Sequence, residues 1–240
     1  MMPRDNLTDC HSMRDLMQIV EAGKLAVTEV PMDQEYRDPD TREWITPAPP
    51  QIGTVEINGV RRPLYNSKNL LIAPTLDTQI AFWRWFGKSK VVDQHGRPLV
   101  VFRGDQIGKS EFSGREDPSN YIQGNIFFTN DMDIAKGYSP HRTNSYISSK
   151  DMNETHGVYS RYLKIERPVT IDARGGDWSR IPLFGRLKKA LDCDALQIDA
   201  IALYVQQHTK NDGLIAKNVW DQFGDGHQYV VFSGAQIKQL

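Results

Sequence analysis

Three short segments set polar, charged or aromatic side chains at the ends of apolar runs, where they could act on a ligand. Val100-Val101-Phe102-Arg103-Gly104 ends in an arginine, a planar and permanently charged fork suited to phosphate or ribose oxygens. The glycine after it lets a ligand approach the backbone closely. Gly124-Asn125-Ile126-Phe127-Phe128-Thr129 offers two flat aromatic faces for ring stacking. Strand side chains alternate, so Phe127 and Phe128 cannot both face one cleft, and Phe127 is the one assigned to the site. Gln228-Tyr229-Val230-Val231-Phe232 opens with an amide that both donates and accepts hydrogen bonds, set where a strand would leave a loop. A charged fork, a stacking platform and a ribose-bonding amide are together what a nicotinamide dinucleotide needs.

The elements that must hold these residues are mostly short strands. Val91-Val92 and Leu99 to Phe102 flank Asp93-Gln94-His95-Gly96, which reads as a hairpin turn. Asp131 to Tyr138 reads as a short helix behind Ile126-Phe127-Phe128. Val158 to Ile165, Val169 to Ile171, Leu214 to Ala216 and Tyr229 to Phe232 read as strands, and Leu183 to Gln207 as one or two amphipathic helices. Upstream, Ser12 to Ala22 has helical spacing, Met32 to Pro50 is a polar, proline-rich connector, and Asn58-Gly59 marks a tight hairpin. Thr75 to Phe86 is a helix with Ile80, Phe82, Trp83 and Phe86 as its apolar stripe, stopped by Gly87. Many short strands with few long helices give an α+β class. The expected domains are an N-terminal helical or irregular accessory segment, 1–74, and a main domain, 75–240.

Composition narrows the function classes. A formal net charge of -1 disfavours a general polyanion binder, although a local basic patch stays open. Cys10 and Cys193 form no zinc or disulfide pattern, and the histidines lack metal-ligand spacing, so no metal is expected. No apolar run approaches the length of a membrane span, and no signal-peptide core opens the chain. The expectation is a soluble protein of a bacterial or host-cell cytoplasm, with no membrane partner.

Residues Phe86 to Gly104 resemble the opening of the ADP-ribosyltransferase domains found in phage and mobile-element polyvalent proteins, where a hairpin ends in Tyr-His-Gly-Thr. Gly124 to Tyr138 resembles that family's Phe-Phe-Thr strand and following helix. Val158 to Ile165 with Pro168, Asp212 to Val219, and the Tyr229 to Lys238 tail resemble its later strands. The resemblance implies a split antiparallel β-sheet clamp with flanking short helices, closing on NAD as co-substrate. It implies mono-ADP-ribosyl transfer to a macromolecular acceptor with release of nicotinamide. A host protein is expected ahead of a nucleic acid as that acceptor.

Carried over by position, Arg103, Gly104, Asp105, Phe127, Thr129 and Tyr138 are the NAD-binding residues. Arg103 would contact the adenosine side, the Gly104 backbone the nicotinamide carboxamide, and Tyr138 would stack on nicotinamide. Gln228 stands where the wider superfamily usually has a catalytic glutamate. An amide can bond a ribose hydroxyl but cannot accept a proton at neutral pH, so the missing carboxylate falls to Asp221 or Asp225, in the loop before the last strand. Two alternatives stay open: an NAD glycohydrolase with water as acceptor, and a binding module in which Gln228 marks lost chemistry.

Overall fold

The computed structural model describes residues 53–105, 125–140 and 153–240, with three short backbone strands nearer the N-terminus. In chain order the elements are β1 (Leu25–Val27), β2 (Tyr36–Arg37), β3 (Trp44–Ile45), β4 (Gly53–Ile57), β5 (Val60–Pro63), α1 (Leu76–Phe86), β6 (Val101–Gly104), β7 (Ile126–Thr129) and α2 (Met132–Gly137). They continue as β8 (Val158–Leu163), β9 (Pro168–Asp172), β10 (Ile181–Pro182), α3 (Gly185–Leu191), β11 (Ala195–Leu196), α4 (Ile198–His208), β12 (Gly213–Asp221), β13 (Gly224–Val231) and β14 (Ile237–Gln239). The helix expected from Ser12 to Ala22 lies outside the described residues, as does most of the proline-rich stretch.

The chain divides into two compact units: Met1–Trp85 with Val92–Pro98, and Phe86–Val91 with Leu99–Leu240. In the first, β1, β4 and β5 form an antiparallel sheet. Its hairpin turns at Asn58 and Gly59, with φ of 52° and 75°, the left-handed pair that a two-residue turn demands. Helix α1 buries Phe82 and Trp83 as its spacing predicts, and the Trp83 indole donates to the Pro63 carbonyl at 3.1 Å.

The second unit is built on one sheet in the order β14-β8-β6-β7-β13-β12-β9. Its pairings are antiparallel except β9 with β12, which run parallel and so depart from the all-antiparallel expectation. Strand β6 pairs with β8 along its whole length, but meets β7 only at Phe102 and Thr129. The sheet's two parts therefore join at a single residue pair. Alternation sends one set of side chains to each face. Leu214, Ala216 and Val230 pack with Ile198, Ile201 and Val205 of α4, and with Phe127 at the margin of that core. Phe128, Ile215, Tyr229 and Val231 pack on the other face with Tyr159 and Leu163. A sheet buried on both faces, with helices to one side, is the expected α+β arrangement.

Two expectations about the last strands need correction. Strands β12 and β13 are longer than the apolar runs Leu214–Ala216 and Tyr229–Phe232, and they form one hairpin. The register shifts between Ala216 and Val219 at a bulge where Asn218 takes φ 53°, and this break in alternation hid the continuation. Asp221 and Asp225 are therefore strand residues flanking the turn, not loop residues. Gln228 lies inside β13 opposite Ala216 and is buried, rather than standing at a strand mouth.

Candidate active site

A cavity of about 480 Å³ opens in the second unit, on the face of the sheet that carries Phe127. Its walls come from β6 (Phe102, Arg103, Gly104), from the β7 strand and Asn125 before it, and from α2 with Tyr138. Trp178, Ile198 and Asp199, then Asp221, Gln222 and Gln228 of the β12–β13 hairpin, complete the lining. The structure brings together Arg103, Gly104, Phe127, Thr129, Tyr138, Asp221 and Gln228 of the residues read from sequence. It does not bring in Asp105 or Asp225. Asp225 is exposed and pairs across the hairpin with Trp220.

The chemistry concentrates at Asp221. This residue is 1% exposed, at the end of β12, yet three donors reach it. The Tyr138 hydroxyl donates to Oδ2 at 2.9 Å and the Gln228 Nε2 to the same oxygen at 3.1 Å. The Phe223 backbone N–H donates to Oδ1 at 3.3 Å. Burial pushes the Asp221 carboxyl above its ordinary range, and those hydrogen bonds oppose the rise. The same burial, with the Asp221 charge beside it, pushes the Tyr138 hydroxyl up, so it stays a donor at neutral pH. Gln228 thus stands beside a carboxylate it holds by its own amide, and its Oε1 accepts no hydrogen bond among the described residues. Tyr138 packs edge-on to Phe223, with centroids 5.0 Å apart.

Asp199 is the second carboxylate of the cavity, in the first turn of α4. Among the described residues its one hydrogen bond comes from Gln197 Nε2 at 3.2 Å, and burial pushes its carboxyl up. It differs from Asp221 in having lone pairs to spare. Asn125 is unusual in another way: both its Nδ2 and its Oδ1 are buried with no hydrogen-bond partner among the described residues, although the residue lines the cavity. Buried amides are normally paired, because each unpaired group costs about 1–3 kcal/mol.

Arg103 lines the cavity with its charge already engaged. Its Nε and Nη2 each lie 2.8 Å from Asp105 Oδ2, and its Nη1 donates to the Phe127 carbonyl at 3.1 Å. Asp105 is therefore the anchor of Arg103. Gly104 lines the cavity and also meets a need inside the fold. A Cβ there would lie 1.9 Å from the Ala135 carbonyl oxygen, so the missing side chain admits the backbone of α2. The helix, six residues long, is started by Asp131, whose Oδ1 accepts from the N–H groups of Asp133 and Ile134.

A family described as ADP-ribosyltransferase in polyvalent proteins matches residues 93–240. The chain belongs to this family. No curated protein and no solved structure matches it. The matched segment spans the sheet and every lining residue of the cavity, and ADP-ribosyltransferase domains use NAD as co-substrate. The residues present suit that substrate: an orphaned amide, an aromatic wall and two carboxylates face one cavity. Among the described residues no helix is long and apolar enough to cross a membrane.

Sequence reasoning missed Trp178, Asp199 and Asn125 in this ADP-ribosyltransferase domain. Asn125 was legible in principle, since it shares the period-two face of Phe127 and Thr129. Asp199 and Trp178 carry no local signal. Chain folding alone brings them to the sheet face.

Proposed function

We propose that the domain transfers a single ADP-ribosyl group from NAD to a macromolecular acceptor, a host protein in the setting of a mobile element, and releases nicotinamide. The observation that carries this reading is the Asp221 carboxylate, buried and held by Tyr138 and Gln228 inside the cavity. It supplies the negative charge that the amide at position 228 lacks. In this reading Gln228 Oε1 accepts from a ribose hydroxyl while its Nε2 holds Asp221. Asp221 then stabilises the positive charge that develops on the sugar as the glycosidic bond lengthens. The acceptor's nucleophilic atom bonds to the ribose carbon. The carbon–nitrogen bond breaks with its electron pair leaving on nicotinamide, and the acceptor's proton passes to Asp199. Phe127 offers its face to a ring, and the narrow junction of β6 with β7 supports a sheet that clamps the substrate. In this reading the reaction runs in a cytoplasm, where NAD is available.

Incubation of the full chain with NAD labelled in its adenine ring and a bacterial lysate tests the reading. Label on discrete protein bands, with an equal amount of free nicotinamide, is the expected outcome. Nicotinamide without label would make water the acceptor, and neither product would end the enzymatic reading.

A further inference from the structure

We infer that Asn125 reads the adenine edge of NAD, an inference that rests on the transferase reading of the same cavity. The side chain lines the cavity with both amide atoms buried and unpartnered among the described residues, a desolvation cost that a ligand entering the cavity would relieve. An asparagine amide presents one donor and one acceptor in a plane, the complement of the adjacent N6–H and N7 of adenine. A primary carboxamide, as in nicotinamide, is the other complement, and position decides between them. Asn125, the residue just before β7, continues the face on which Phe127 and Thr129 stand. Thr129 is paired with Gln228, the row whose side-chain amide reaches Asp221. Four residues of strand carry Asn125 about 13 Å from that row. The carboxylate end is where the nicotinamide ribose must react, so the orphaned amide stands at the far end of the dinucleotide. Phe127 lies between, with Arg103 bonded to its carbonyl. A dinucleotide laid along β7 meets the carboxylate first, then the aromatic face, then the amide.

Calorimetry on the full chain compares NAD with its hypoxanthine analogue, in which an acceptor oxygen replaces the donor amino group. The wild type should bind NAD about ten- to a hundredfold more tightly. The variant Asn125→Leu should bind both dinucleotides equally, at the weaker level. It should also melt no lower than wild type in the absence of ligand, since it removes an unpaired buried amide, whereas a merely structural asparagine would be missed. Affinity for nicotinamide alone should not change. Equal binding of the two dinucleotides by wild type would overturn the inference, as would a variant that keeps the preference or loses nicotinamide. Failure of the wild type to bind either dinucleotide or to release nicotinamide would remove the transferase reading itself, and this inference with it.

Discussion

Asp221 and Asp199 are chemically the same group in one cavity, and their surroundings separate their work. Three donors fix Asp221, leaving it suited to holding charge, whereas Asp199 has one long hydrogen bond and can take a proton. Asp221→Asn should lower nicotinamide release about 10²–10³-fold in a single-turnover assay with NAD affinity largely kept. Asp225→Ala, altering an exposed residue outside the cavity, should match wild type. A comparable loss in both would locate the charge elsewhere. Burial raises the Asp199 carboxyl above its ordinary value of about 4, so transfer should rise with pH through a limb above that value as the group ionises. Asp199→Asn should remove the Asp199 part of that limb and slow transfer about 10²-fold or more at neutral pH. An unchanged pH profile would assign the proton to another group. The linkage sign is the reverse for folding. A raised carboxyl contributes stability that is present below the unfolded value and lost as pH rises through the folded one, so Asp199→Asn should gain thermal stability at pH 7 and little at pH 4. Sequence named Asp221 and Asp225 together as the acids before Gln228, with Asp225 the nearer along the chain, and the register of the hairpin brings Asp221 to the amide. Asp199 was not readable, because an acid in the first turn of a helix is ordinary.

At the scale of elements, the site depends on how α2 seats against β6. The helix has too few turns to persist alone, and its position is fixed by the burial of Ile134 and Ala135 and by the space left at Gly104. Gly104→Ala would put a methyl group against backbone atoms of Ala135, Tyr138 and Ser139, none of which can rotate away. A loss of about 1–3 kcal/mol in denaturant unfolding is expected, and with it a loss of activity, since Tyr138 ends the displaced helix. A Cβ added at Gly96 would meet no atom within 4 Å, but the residue takes φ 75°, so Gly96→Ala should cost only about 1 kcal/mol and leave turnover unchanged. Equal effects on activity would mean that the seat of α2 is not what holds Tyr138. Hairpins and helices with intact periodicity, such as β4–β5 and α1, were legible from sequence. The β12–β13 hairpin was half legible, because the bulge at Asn218 interrupts the alternation that marks a strand.

At the scale of the whole molecule, every lining residue of the cavity lies in the second unit, while α1 falls in the first through Trp85. Sequence alone sets the start of the main domain at Thr75, since a helix before a β-rich region reads equally well with either neighbour. The packing of α1 supplies a test of the two choices. Trp83 donates to Pro63, Arg62 stands 5.0 Å from the centre of its ring, and Phe82 meets it edge-on with centroids 5.5 Å apart. A fragment begun at residue 75 keeps these apolar rings and removes Arg62 and Pro63, exposing surface that favours self-association. A fragment begun at residue 86 omits the rings as well. Both should bind NAD with the affinity of the full chain. In sedimentation velocity the 86–240 fragment should stay monomeric, whereas the 75–240 fragment should show concentration-dependent association. If instead 75–240 is the monomer and 86–240 fails to fold, α1 belongs to the catalytic domain and the boundary lies at Thr75. Loss of NAD binding in both would mean that residues before Thr75 are needed to form the site.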